Sequence, residues 1–196
     1  METSSMKMTL RLLASVLFII LAIAFIGRSH AQAAPLWTLT DDSSVGFTAE
    51  QSGAPVPGKF EEFSSEIKFH PDQLDSSSIR VVIQTGSVNT EDNSRDGTIR
   101  SGSFFDSDSH PEATFEASSF EKTGDDQFVA KGTLNLRGTS NPLELPFTAS
   151  VENGVLKASG STTLERLDYG VGIGEWASTA VVSNTVEINF DIIGNQ

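Results

Sequence analysis

The stretch QFVAKGTLNLRGTSNPLELPFTASVENG, Gln127 to Gly154, alternates in polarity along most of its length. Phe128, Ala130, Leu134 and Leu136 fall on one parity, with Lys131, Thr133, Asn135 and Arg137 on the other. After turn-forming residues from Arg137-Gly138 to Asn141-Pro142, the pattern resumes. Leu143, Leu145, Phe147, Ala149 and Val151 then face away from Glu144, Thr148 and Ser150. Successive side chains of an extended chain point to opposite faces, so this period of two builds one dry face and one wet face. Asn153-Gly154 closes the stretch with a hairpin signal, because both residue types tolerate positive φ. Such strands suit an antiparallel sheet with water on one side.

The same period recurs on either side. It places Val45, Phe47 and Ala49 together, then Phe63, Ile67 and Phe69, then Ile79, Val81 and Ile83. Near the end, Val182, Val186, Ile188, Phe190 and Ile192 oppose Glu187, Asn189 and Asp191, and Thr123-Gly124-Asp125 marks a further turn. Two places look helical. One is a single turn over Pro71 to Asp75. The other is a short helix within Glu91 to Gly102, capped by Asp92 or Asn93, with Ile99 as its apolar residue. The pattern is all-β and predicts a barrel or sandwich: about eight antiparallel strands with one or two short helices. Gly46, Gly132 and Gly160 interrupt strand patterns, where glycine marks a bend or a close approach. An eight-stranded barrel is either filled by its own side chains or holds one small ligand, and alternation is compatible with both.

The chain begins differently. Lys7 and Arg11 precede or border an uncharged run, Leu12 to Ile26, followed by Arg28 and the small-residue motif Ala31-Gln32-Ala33. This is the order of a secretory signal, predicted to be cleaved after Ala33, which leaves a domain over residues 34–196. The run is shorter than the ~20 residues a membrane-spanning helix needs. The net charge is −13; removing Lys7, Arg11, Arg28 and Glu2 leaves 10 basic and 25 acidic residues, a net −15. That surface repels phosphate backbones, so nucleic acid is not an expected partner, and it repels anionic lipid headgroups. Cysteine is absent, which excludes disulfides, thiolate catalysis and cysteine-ligated metal centres.

Three motifs invite a chemical reading. Asp106, Asp108, His110 and Glu112 alternate like metal ligands, but Ser107 and Ser109 are loop formers and Pro111 holds His110 extended. Metal binding and a plain turn feeding a strand are both compatible with it, and the turn is favoured. Gly170-Val171-Gly172-Ile173-Gly174 is rich enough in glycine for a phosphate loop but lacks a following helix signal, which favours a connection at a barrel rim. Arg95 and Arg100, beside Asp96 in the short helix, either clasp an anion or tie the helix to Asp106 or to neighbouring strands. No nucleophile elbow is present, and no catalytic constellation, cofactor or metal is predicted.

Taken in order, several short motifs resemble one family. They are Trp37-Thr38-Leu39, Ser43-Ser44-Val45-Gly46-Phe47, Gly58-Lys59-Phe60 and Arg95-Asp96 with Arg100-Ser101. Phe104-Phe105-Asp106, Pro111, Thr114-Phe115, Gly132-Thr133-Leu134, Leu136-Arg137-Gly138 and Asp168-Tyr169-Gly170-Val171-Gly172 complete the set. From Trp37 to about Ile193 the chain resembles the YceI-like family of secreted lipid- or polyisoprenoid-binding proteins. The resemblance implies an extended, lipocalin-like barrel whose pore takes the apolar tail of a long isoprenoid, with no catalytic residues. The chain departs from the family at Asp42, where a histidine is frequent, and over Thr48-Ala49-Glu50-Gln51. Its 51–57 and 174–177 segments resemble a branch often linked to membrane b-type cytochromes, which implies an isoprenoid quinone as ligand. In relatives Phe104-Phe105-Asp106 and Pro111 recur while the residues between them vary.

The expected function is therefore a periplasmic carrier of a polyisoprenoid or isoprenoid quinone. The alternative is an acidic module that docks a membrane b-type cytochrome or another envelope protein. Phe47, Phe63, Ile67, Phe69, Ile79, Val81, Phe104, Phe105, Phe115, Leu134, Leu136 and Phe147 are the expected pore or core residues. N-terminal sequencing of the exported protein is expected to begin at Ala34; a product beginning at Met1 refutes the leader.

Overall fold

The computed structural model describes residues 33–196. The leader-like segment up to Gln32 lies outside the described residues. The alternation becomes eleven strands: β1 (Leu36–Leu39), β2 (Ser44–Gln51), β3 (Ala54–Phe60), β4 (Phe63–Lys68), β5 (Ser78–Gln84), β6 (Val88–Asn89), β7 (Glu112–Lys122), β8 (Gln127–Leu136), β9 (Thr139–Glu152), β10 (Val155–Glu165) and β11 (Thr185–Asn195). One α-helix, α1 (Asn93–Arg100), joins them, with 3-10 turns at Leu74–Ser76, Thr85–Ser87, Arg166–Tyr169 and Gly174–Ala177.

Every strand pairing is antiparallel, and the sheet closes. Its order runs β1-β4-β5-β7-β8-β9-β10-β11 and returns to β1 through Thr38↔Asn195 and Leu39↔Gly194, a ring of eight strands. Closure decides for a lipocalin-like barrel over a sandwich. The wall divides at β11: its last residues meet β1, while Glu187–Asp191 pair with β2, which carries β3 and then β6 outward.

Tight turns set the register. Arg137 and Gly138 have φ of 50° and 75°, and Asn153 and Gly154 have 52° and 77°. Positive φ at both central positions matches the twist of the flanking strands. The first of these turns is shorter than the sequence pattern suggests. Asn141 and Pro142 belong to β9, where Pro142 faces Thr133 of β8. Proline lacks the donor a second neighbour would need. Accordingly the β9–β10 ladder runs only from Val155↔Glu152 to Gly160↔Phe147, and Pro142 and Pro146 lie beyond it. The seam there is crossed by side chains instead: Thr162 Oγ1 donates to the Glu144 carbonyl at 3.1 Å, and Asn141 Nδ2 donates to the Asp168 carbonyl at 3.2 Å.

Two of the strands that the alternation did not reveal had physical reasons for being hidden. In β7 a bulge between Ala117 and Ser119 shifts the inward parity from Ala113, Phe115 and Ala117 to Phe120. In β3, Pro55 and Pro57 argue against a strand, yet the only partner on that side, β6, reaches no further than Lys59 and Phe60. The expected turn after His70 falls at Leu74–Ser76. The expected helix is α1, capped by Asp92, whose Oδ1 accepts from the N–H groups of Ser94 and Arg95 at 2.9 and 3.0 Å.

Two apolar clusters fill the ends. At one, Trp37 is 2% exposed and donates Nε1–H to the Phe69 carbonyl at 2.8 Å, beneath Phe69, Phe128 and Phe147, whose ring centroids lie 5.3–5.5 Å apart. At the other, Phe47, Val88, Phe104, Leu164, Tyr169, Val171 and Val186 gather under α1 and the segment after β10. Gly132 shows why wall glycines matter. A Cβ there would sit 2.8 Å from the Phe115 ring and closer still to the Glu116 carbonyl oxygen. The ring lies on the bare backbone, and a side chain would drive the strands apart. Gly132→Val is expected to lower unfolding stability by roughly 2–3 kcal/mol in urea titration, whereas Gly86→Ala, with open space around it, is expected to be nearly neutral.

Candidate functional site

Inside the ring, bordered by residues of both clusters, lies a cavity of about 220 Å³. Its lining comes from seven of the eight ring strands, all but β1, and from β2, β3 and α1, and it is apolar apart from Arg166. Eleven of the residues expected from sequence border it: Phe47, Ile67, Phe69, Ile79, Val81, Phe104, Phe105, Phe115, Leu134, Leu136 and Phe147. Phe63 does not; it starts β4 and packs against the Trp37 cluster. The structure separates wall from filling, which the pattern could not. Ile67, Phe69, Phe115 and Phe147 are packed into the Trp37 cluster, and Phe47 and Phe104 into the other. Val81 and Ile83 border the cavity yet belong to neither cluster. Their side chains line the free space and do not support the plugs.

Arg166 was not anticipated. It is 2% exposed, follows β10 and keeps the inward parity of Leu156, Ala158 and Leu164. That parity is the signal that marks it: an arginine in register with inward-facing residues. All its donors meet backbone carbonyls. Nε donates to Ser183 at 2.9 Å, Nη1 to Val171 and Gly172 at 2.8 and 2.9 Å, and Nη2 to Trp176 and Val182 at 2.8 and 3.0 Å. No carboxylate is in the set. Burial pushes its pKa below the usual arginine value, because desolvation penalises the charged form. The five charge-assisted bonds offset that penalty. A guanidinium is the one side chain with five donors in a rigid plane, and here each is used.

This explains the glycine-rich stretch. Gly170, Gly172 and Gly174 have φ of 68°, 76° and 67°, and a Cβ on Gly172 would collide with Arg166 Nη1. The loop wraps a guanidinium and does not lead into an α-helix; a 3-10 turn, Gly174–Ala177, follows. Other arginines act alike. Arg137 donates to the carbonyls of Gly170 and Gly102. Arg100 donates to those of Gly86 and Val88, both at 2.7 Å. Arg95 reaches Thr90 Oγ1 at 2.9 Å, and buried Asp96 accepts from Thr90 N and Oγ1 at 2.9 and 2.6 Å. The tie expected of Arg95 and Arg100 is therefore made to Thr90 and to backbone carbonyls, not to Asp106.

The Asp106–Glu112 stretch is a turn. Asp106 has φ of 51°, and its carbonyl accepts from Ser109 N and His110 N at 3.0 and 2.7 Å. The His110 ring lies against Gly138, and its carbonyl accepts from Thr85 Oγ1. Among the described residues no group of three or more histidine, cysteine, aspartate or glutamate side chains is arranged to hold a metal ion.

A closed antiparallel barrel around a dry interior is an architecture for holding one apolar ligand. The chain belongs to the family of the YceI-like domain, whose model matches residues 37–193. A UPF0312 protein of Vibrio parahaemolyticus is 30% identical over 162 residues, 78% of this chain and 86% of that protein. The crystal structure of Burkholderia cenocepacia BcnA superposes with a TM-score of 0.77 at 25% identity, covering 80% of this chain and 99% of that one. A polyisoprenoid binding domain from Saccharophagus degradans, implicated in plant cell wall breakdown, has the same fold, with a TM-score of 0.65 at 17% identity over 84% and 99% of the two chains.

Replacing Arg166 should free several buried carbonyls at once. Arg166→Met is expected to cost at least about 3 kcal/mol in chemical unfolding, each orphaned acceptor contributing about 1–3 kcal/mol less any relaxation. Arg166→Lys, with three donors, should recover only part of it. Hydrogen exchange over residues 170–184 should rise in both variants before exchange in β8 and β9 does.

Proposed function

We propose that this protein is a periplasmic carrier that holds the tail of a long isoprenoid amphiphile, a polyisoprenoid or an isoprenoid quinone, inside its barrel. The observation that carries the reading is the cavity itself: a space inside the ring lined by Phe, Ile, Leu, Val and Ala and by one charged residue whose donors are all engaged. Water gains nothing in such a space, because an ordered water needs two or more polar partners. A hydrocarbon tail gains roughly 0.8 kcal/mol per buried CH₂ before ordering costs, so a few isoprene units suffice for tight binding. The headgroup stays at an end of the barrel, where water and backbone groups are available to it. The family supports a binding role, and the fold neighbour described as a polyisoprenoid binding domain supports the ligand class. The signal-like leader supports export.

The test is extraction followed by blockade. Protein purified from the periplasm of an expressing bacterium is extracted with organic solvent and analysed by mass spectrometry; an isoprenoid at near-stoichiometric amount is expected. Val81→Trp and Ile83→Trp fill the free space from residues outside both packed clusters. They should retain the fold while reducing loading at least tenfold. A folded Val81→Trp protein with undiminished loading removes the cavity as the binding site.

A further inference from the structure

The chain is acidic almost throughout, and one end of it is not. Residues 51–58, QSGAPVPG, carry no charge, and residues 169–186, YGVGIGEWASTAVVSNTV, carry one, Glu175. One charged residue in these 26 contrasts with 20% over the whole chain. The two segments form one surface. Ser52 N donates to the Val181 carbonyl at 2.8 Å and Ser183 N to the Glu50 carbonyl at 2.9 Å, with a bridge between Gln51 and Val182. Three large apolar side chains are exposed among the described residues, and two of them, Ile173 at 41% and Val181 at 45%, lie here. Trp176 is half-buried between them in sequence, its ring 5.4 Å from Phe104. The same segment reaches the cavity, since Val171 and Val182 border it.

We propose that this tip docks the barrel, cavity end first, on the surface of a lipid bilayer, and that cargo passes there. The inference rests on the carrier reading for its purpose and on the charge distribution for its geometry. An acidic wall is repelled by anionic lipid headgroups, while a tip with Glu175 as its one charge is repelled far less, so the tip-first orientation is favoured. A tryptophan with two aliphatic neighbours suits the interface, where an apolar body and a polar handle are both accommodated. The exposed apolar area is small for a specific protein interface, which buries about 800 Å² per partner with close shape matching. A bilayer asks for no such matching, and weak contact suits a carrier that must leave again.

Flotation with phosphatidylcholine vesicles tests this. The protein is expected to float with neutral vesicles, and less when phosphatidylglycerol is added. The double variant Ile173→Glu and Val181→Glu, at exposed sites, should keep the unfolding midpoint and its solution affinity for undecaprenol but lose at least tenfold in vesicle partition. Ser161→Glu with Thr163→Glu adds the same charge to the exposed wall and should float as the unaltered protein does. Loss of undecaprenol binding with vesicle docking still dependent on Ile173 and Val181 would support the surface and remove the cargo. Failure of the unaltered protein to float overturns the proposal. Equal loss in the wall variant does so too, as does a photo-crosslinker at Ala177 that captures an envelope protein and no lipid.

Discussion

Closing eight strands into a ring means that the inward side chains must fill whatever the ring encloses. Here they fill it only at the ends. At one end Trp37 and the Phe69, Phe128 and Phe147 rings interlock; at the other Phe47, Phe104 and Tyr169 meet beneath α1. Between them Val81, Ile83 and their neighbours border free space. The cavity is a consequence of where the large rings were placed. Two plugs hold the ring in shape while the space between them stays free for a guest.

Arginine supplies the polar counterpart of those plugs. Irregular segments bury carbonyl groups that no strand can satisfy, and a buried acceptor without a donor is costly. Four of the five arginines among the described residues, Arg95, Arg100, Arg137 and Arg166, meet such groups or Thr90. Only Arg80 is held by a surface carboxylate, that of Glu116, in one of four ion pairs that are all exposed. Four of the ten cations among the described residues are therefore used to shape irregular segments, while Lys59, Lys68, Arg80 and Lys131 sit in the exposed ion pairs.

Much of the fold was legible in particular residues. The alternation from Phe128 to Val151 is β8 and β9 in register, with the two-residue turn moving the inward face from even positions in β8 to odd positions in β9. Phe69 and Phe147 were readable as inward for the same reason. Three features were hidden by physics that alternation does not encode. The bulge at Ala117–Ser119 reverses parity within β7. Proline is tolerated in β3 and β9 because those stretches lack a second neighbour. Arg166 carries a charge, and the rule that charge faces water hides it; parity alone placed it inside.

The sequence by itself determined that strands would form, which face of most of them would be dry, where two-residue turns such as Asn153-Gly154 would fold back, and that no disulfide or cysteine-held metal would contribute. Those are local consequences of backbone geometry and side-chain type. Only the tertiary structure decided that the sheet closes through Thr38 and Leu39 on Asn195 and Gly194, that the interior is hollow in its middle, and that residues 51–58 and 169–186 make one surface. These depend on pairings between residues far apart in the chain, and on the difference between the volume a ring encloses and the volume its side chains occupy. No single strand carries that difference.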